Sequence, residues 1–299
     1  MFKWLTPRYS SSNKHIRNSL SAFICIFLLL AITGCSQETP DIQSKHQNNE
    51  LSGKLIITGS STVAPLVAEI AKQFEKNYPL TRIDVQTGGS SRGIADVRSK
   101  LSNIGMVSRS LKPNEQGLTP YAIARDGIAM IAHKDNSLET ITSEQIKNIY
   151  LGHTTNWQSL NGQKAQITVV NKAEGRSTLE LFLAYFVLKN SDIKASIIIG
   201  DNEQGVKTVI GNKNAIAYVS IGTAEYNIQH GAPIKLLKLN SIEASSNNVK
   251  QGNYPLSRIL NLIVSEPNPS PLTTAFIAFS QSDAVSPLIK ELNFVPLAQ

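Results

Sequence analysis

From residue 53 onward, short apolar runs alternate with stretches in which apolar side chains return every three or four positions. Lys54–Thr58, Arg82–Gln86, Asn103–Val107, Gly127–His133, Ile167–Val170, Ala215–Ser220, Ile234–Leu239 and Ile259–Val264 read as strands. Val63, Leu66, Val67, Ile70, Ala71 and Phe74 keep the i, i+3, i+4, i+7 spacing of a buried helix face. Ile94, Val97 and Leu101 mark a second helix, and Leu179, Phe182, Leu183, Phe186 and Val187 a third. Thr142-x-x-Gln145 is a capping-box start for a helix to about residue 150, and further helix follows Pro271. The Asn/Ser-rich stretch 241–253 reads as a surface loop. Strands alternating with helices predict an α/β fold with largely parallel sheets.

The opening residues break this rhythm. Basic residues occupy positions 3–17, Leu20–Ile32 is almost wholly apolar, and Thr33-Gly34-Cys35 follows. An apolar run this short falls below the ~20 residues that span a bilayer. A basic lead, a short apolar run and small residues describe a secretory signal peptide over residues 1–34. Ile32-Thr33-Gly34-Cys35 looks like a bacterial lipobox, which makes Cys35 the expected lipid-attachment site and 35–52 a polar tether. The domain is then expected at the cell envelope, anchored to the membrane through its N-terminal lipid on the periplasmic or extracellular face. Residues 1–34 hold four of the 29 basic residues and none of the 22 acidic ones, so the rest carries +3 rather than +7. That balance argues against a nucleic-acid partner. Cys25 and Cys35 are the only cysteines, one inside the apolar run and one ending it, which excludes a disulfide framework or thiolate metal site. The five histidines are too scattered for a metal cluster, and no cofactor is expected.

The informative chemistry sits at three junctions. A strand runs into Gly59-Ser60-Ser61-Thr62, another into Gly88-Gly89-Ser90-Ser91-Arg92-Gly93, a third toward Gly175-Arg176-Ser177-Thr178, and each loop opens a helix. Val107-Ser108-Arg109-Ser110 adds hydroxyls and a guanidinium after a fourth strand. Glycine admits close backbone approach, hydroxyls donate, and the first N–H groups of a helix lack internal acceptors, so such a start attracts anions. Ordinary N-capping accounts for any one loop alone, and Ser177-x-x-Glu180 is itself a good capping box. Three alike favour a shared anion, held where strands end at their carboxyl edge. Gly89-Ser90-Ser91-Arg92-Gly93 also fits the G-x-S-x-G nucleophile elbow, which would make Ser91 the nucleophile of a serine hydrolase with His133, His153 or His230 as base.

At these loops the sequence resembles the phosphate-binding lipoproteins and periplasmic proteins of bacterial ABC phosphate importers. The matching pieces are GSSTVAPL (59–66), TGGSSRGIADV (87–97), IGMVSRSLKPNE (104–115), IARDGIAMIAH (123–133), ITSEQIKNIYLGHTTNW (141–157), the loop 175–178 and NAIAYVSIG (214–222). The resemblance implies a two-lobed periplasmic-binding-protein fold of type II, each lobe a mixed sheet flanked by helices. Crossings are expected near 127–132 and 217–224, with lobe 1 at 53–128 and 221–299 and lobe 2 at 129–220. It places phosphate ligands at Ser61, Thr62, Ser90, Ser91, Ser108, Arg109, Arg176, Ser177 and Thr178. The family often reads Arg-x-x-Gly-Ser-Gly-Thr in the last loop, where this chain has Lys172-Ala173-Glu174-Gly175-Arg176-Ser177-Thr178. Lysine has no bidentate fork, so that exchange is not neutral. Some relatives place Asp at the position of Ser108, an acceptor for the proton that phosphate keeps and sulfate lacks.

The implied function is high-affinity binding of inorganic phosphate without turnover, and delivery to an ABC permease and ATPase by a monomeric receptor. The alternatives are a sensing or adhesion lipoprotein on the same scaffold, the Ser91 hydrolase, and a site for sulfate or another tetrahedral oxyanion.

Overall fold

The computed structural model describes residues 51–265, 267 and 269–297. The signal peptide, Cys35 and all but the last two residues of the tether lie outside the described residues. In chain order the elements are β1 (Gly53–Gly59), α1 (Ala64–Asn77), β2 (Thr81–Thr87), α2 (Ser90–Arg98), β3 (Ile104–Val107), β4 (Thr119–His133) and β5 (Thr140–Ile141). They continue with α3 (Ser143–Tyr150), β6 (Thr168–Lys172), α4 (Ser177–Phe186), β7 (Ile197–Ile199), α5 (Asn202–Gly211), β8 (Ala215–Ser220) and α6 (Ile221–Gln229). Last come β9 (Ile234–Leu236), β10 (Lys238–Leu239), α7 (Ser246–Gln251), β11 (Ser257–Val264), α8 (Pro271–Ser280) and α9 (Ser286–Glu291).

One sheet runs β2-β1-β3-β11-β4-β8-β6-β7, and β9 also pairs with β4. The sheet is mixed rather than largely parallel. β1 pairs parallel with β2 and β3, and β6 with β7 and β8. β11 and β4 run antiparallel to their neighbours. The sequence pattern could not reveal this, because a strand buried on both faces reads as a plain apolar run whichever way it pairs.

The 15-residue β4 is the spine, and it changes partners midway. Residues Thr119 to Gly127 pair with β11, and Ile128 to Ala132 pair with β8. Each side has its own core. Leu55, Leu66, Phe74, Ile104, Leu260 and Phe276 pack in the first half. Tyr150, Trp157, Phe182, Ile216 and Tyr218 pack in the second. β8 is covered on both faces: Ile216 and Tyr218 join that core, while Ala215, Ala217 and Val219 meet Val206 and Val209 of α5.

The segment expected to return to lobe 1 from residue 221 is divided. β9 lies on the second half of β4 and β10 pairs with β5, and Leu237, Leu239, Val249 and Tyr254 pack in the second core. The chain rejoins the first half only at β11. β9 and β10 replace the single strand expected at 234–239, and the supposed loop 241–253 contains α7. Ser245 caps α7 by accepting from Asn248 N, which is why a polar run still forms a turn of helix.

Candidate anion-binding site

Three helices of 14, 9 and 10 residues, α1, α2 and α4, begin where β1, β2 and β6 end. Their N-cap residues are Val63, Gly89 and Arg176, and none offers a side-chain cap. Helices α3, α5, α6, α7 and α8 are built differently, each starting on a side chain that accepts a helix N–H: Thr142, Asp201, Ser220, Ser245 and Ser270. The capping-box expectation at Thr142 and Gln145 is met in full. The one at Ser177 is not. Ser177 sits one position inside α4, its Oγ is buried without a partner, and Glu180 turns away toward Arg109 and Lys112. The hydroxyl that was to cap the helix is therefore uncommitted.

The three starts converge. Ser60, Ser61, Thr62, Gly89, Ser90, Ser108, Lys172, Arg176, Ser177, Thr178 and Gly200 line one small pocket. Ser61, Thr62, Ser90, Ser108, Arg176, Ser177 and Thr178 are thus brought together from the expected set. At Gly89, with φ at 94°, an added Cβ would lie 2.6 Å from the Gly175 carbonyl and 2.9 Å from Arg176 Cδ, so only glycine fits between the halves. The Nε of Arg176 is buried and unpartnered at the same place. Each helix start contributes N–H groups without an intrahelical acceptor and the positive end of its dipole.

Ser91 and Arg109 are not among the lining residues. Ser91 is exposed, and its N–H donates to the Gly175 carbonyl across the seam at 3.2 Å. Among the described residues no histidine bonds Ser91, so the hydrolase arrangement is not assembled. Arg109 is buried but engaged elsewhere. Its Nη1 and Nη2 donate to the two Glu115 carboxylate oxygens at 2.7 Å each, Nη1 also reaches the Ser110 carbonyl, and Nε lies 2.8 Å from Glu180 Oε2. A desolvated guanidinium is stable only with carboxylates around it, and two of them hold this one.

Sequence reasoning missed the cation beneath the hydroxyls. Arg258 of β11 is paired with Asp126 of β4, both side chains 1% exposed, through Nη2 at 2.7 Å and Nε at 3.0 Å. From that anchor Nη1 donates to Thr178 Oγ1 at 2.9 Å and Nη2 to Thr62 Oγ1 at 3.2 Å. Thr62 Oγ1 also accepts from Asn202 Nδ2 at 3.0 Å. With both lone pairs occupied, the Thr62 hydroxyl can only donate. The available signal was Arg258 alone in one apolar strand and the Arg125-Asp126 pair inside another, since buried charges come paired.

Lys172, the departure from the family's last loop, is not among the expected ligands. It is 3% exposed, lines the pocket, and donates through Nζ to the Asp201 carbonyl at 3.1 Å. Burial lowers its pKa to about 7, helped by the Arg258 and Arg176 charges and opposed by Asp201. Tyr218 stacks on Phe182 with ring centroids 4.0 Å apart, and its hydroxyl accepts the Lys172 N–H while donating to Asn171. Glu174, the nearest loop acid, is exposed and accepts from Asn190 instead.

A family model described as a PBP superfamily domain matches residues 44–284. The phosphate-binding protein PstS 2 of Streptococcus pneumoniae is 39% identical over 124 residues, a match that spans 41% of this chain and 41% of that protein's length. Phosphate-binding protein PstS of Bacillus subtilis is 27% identical over 241 residues, covering 79% of this chain and 78% of that one. A Clostridium perfringens structure described as a phosphate ABC transporter substrate-binding protein with bound phosphate superposes with a TM-score of 0.77 and 32% identity, covering 82% of this chain and all of that one. This chain belongs to the PBP superfamily, among the phosphate ABC transporter substrate-binding proteins.

Proposed function

We propose that the protein is the extracytoplasmic receptor of a phosphate importer, binding orthophosphate without chemical turnover and delivering it to an ABC permease and ATPase. The observation that carries this reading is the convergence of three helix starts without side-chain caps on Lys172 and Arg176, with Arg258 beneath. A small tetrahedral anion satisfies donors arriving from several sides. Ser61, Ser90, Ser108, Ser177 and Thr178 offer hydroxyls, the helix starts offer N–H groups, and Arg176 and Lys172 neutralise charge. Ser91 and Arg109 act one step removed, Ser91 at the seam and Arg109 in an ion-pair cluster. Lipidation at Cys35 and a monomeric state complete the reading, and conversion of Cys35 to Ser should release the protein from the detergent phase.

Phosphate contacts from both halves of β4 also imply closure of the halves around the ion. Burying a charge without full hydrogen bonding is expensive, so the ion favours the closed arrangement. Equilibrium binding of labelled phosphate to the purified protein tests the proposal. Saturable binding well below millimolar concentration is expected, and its absence would overturn the reading. Arg176→Ala should weaken binding about tenfold to a hundredfold, the cost of a hydrogen bond to a charged ligand. Lys238→Ala, on the exposed side of β10, should leave it unchanged.

A further inference from the structure

Lys172 is buried beside two guanidinium groups, a place where holding a charge is costly. Arg258 of β11 bonds the pocket-lining Thr62 and Thr178, Arg176 lines the pocket from the loop before α4, and Asp201 at the start of α5 faces Lys172 with its backbone carbonyl and its charge. Tyr218 of β8 lies beneath, with Nζ 6.0 Å from its ring centroid, and its phenol is held neutral by burial. The Asp126 carboxylate is committed to Arg258, Ser220 Oγ and the Gly222 N–H, which leaves Asp201, whose carboxylate already accepts the Gln204 N–H, as the acid whose charge acts on Lys172. No carboxylate is among the residues lining the pocket.

We infer that Lys172 is a proton-linked ligand: binding of a tetrahedral dianion draws a proton onto its amine, so the receptor takes up phosphate together with a proton. The inference rests on the phosphate-receptor reading and deepens it. Two neighbouring guanidinium charges and burial favour the neutral amine, and its lowered pKa of about 7 agrees. A dianion in the pocket reverses that balance, since an opposite charge within a few ångströms stabilises the ammonium. The balance is simple: Nζ gains one proton from solvent, no other bond changes, and the proton leaves when the anion does. Between the free and bound pKa values the affinity then falls as pH rises, by up to about tenfold per pH unit. Arginine at this position stays charged and would break the link.

The test is calorimetric titration of the purified protein with inorganic phosphate at about pH 8 to 9, above phosphate's own second ionisation. Buffers of different ionisation enthalpy count the protons. The expected result is uptake approaching one proton per phosphate, and an affinity that declines across this range. In Lys172→Arg both effects should vanish while phosphate still binds. Lys172→Met, checked for folding by circular dichroism, should bind more weakly and also without pH dependence; it serves if the arginine variant does not fold. Binding by the natural protein without proton uptake would overturn the inference and leave the receptor reading intact. So would uptake that persists in both variants. Absence of any phosphate binding would instead remove the receptor reading on which the inference stands.

Discussion

Two buried cations, Arg258 and Lys172, support the site in opposite ways. Arg258 is neutralised by Asp126 and spends its remaining donors orienting Thr62 and Thr178. Removing it as Arg258→Ala strands the Asp126 carboxylate, and breaking a buried pair costs about 3–5 kcal/mol. A denaturant midpoint should drop accordingly, and a near-unchanged midpoint would show that water reaches Asp126. Lys172 has no such partner. Its pKa lies near 7 in the fold and at the usual 10.5 when unfolded, so the unfolded chain binds more protons between these values. Stability should therefore rise with pH across that window, the cost of the buried ammonium being full below about pH 7 and gone above the usual 10.5. Lys172→Met should flatten the rise and be more stable at neutral pH while binding phosphate less well. Function here is bought with stability.

The three site helices gain their character from what their first turns lack. A capping side chain would consume the N–H groups that face the pocket, and α1, α2 and α4 carry none at their N-caps. At α1, Ser60 Oγ accepts from the Thr62 and Val63 N–H groups at 3.2 and 3.4 Å and also donates to Ser108, which ties that loop down. At α2 the tie is Gly89, whose N–H, like that of Gly88, donates to the Gly59 carbonyl at 2.9 Å. Gly89→Ala would place a methyl against Gly175 and Arg176 from a backbone region that only glycine enters easily, a strain of about 1–3 kcal/mol. Because the clash is with the opposite half, the variant should lose at least about tenfold in phosphate affinity, more than its stability loss alone explains. Equal affinity in a binding isotherm would mean that the halves need not meet at Gly89.

Contacts across the seam bring the two halves of β4 into one unit. Asn202 to Thr62, Ser91 to Gly175, Arg258 to Thr178 and the Arg109–Glu180 pair all join residues on opposite sides. Glu180 also meets Lys112 at 2.9 Å, so one carboxylate of α4 is held by two cations of the first half. This cluster lies outside the pocket lining and should act on closure alone. Glu180→Gln should weaken phosphate binding by up to about fivefold, as a partly exposed ion pair worth up to about 1 kcal/mol allows. Small-angle scattering should then show compaction on adding phosphate, at higher phosphate than the natural protein requires. A radius of gyration that never responds, with tight binding retained, would mean that closure does not depend on the ion.

The strands, the main helices and the three glycine-hydroxyl loops were legible because each is a local signal. Periods of two and 3.6 mark buried faces within a few residues, and Gly59, Gly89 and Gly175, all at positive φ, punctuate the turns. Helices α5 and α6 are not among the elements expected from the sequence pattern, although Asp201 and Ser220 cap them. What local pattern could not supply was partnership. Arg258 meets Asp126 across 132 positions, and Asn202 meets Thr62 across 140. Such pairs depend on which strands become neighbours, and antiparallel β11 between β3 and β4 carries Arg258 to Thr62 and Thr178. The same closure took Glu180 to Arg109, which withdrew Arg109 from the pocket and left Ser177 free to face it. A residue's chemistry is written in the chain, but whether its donors are spent or available is decided by what the fold sets beside it.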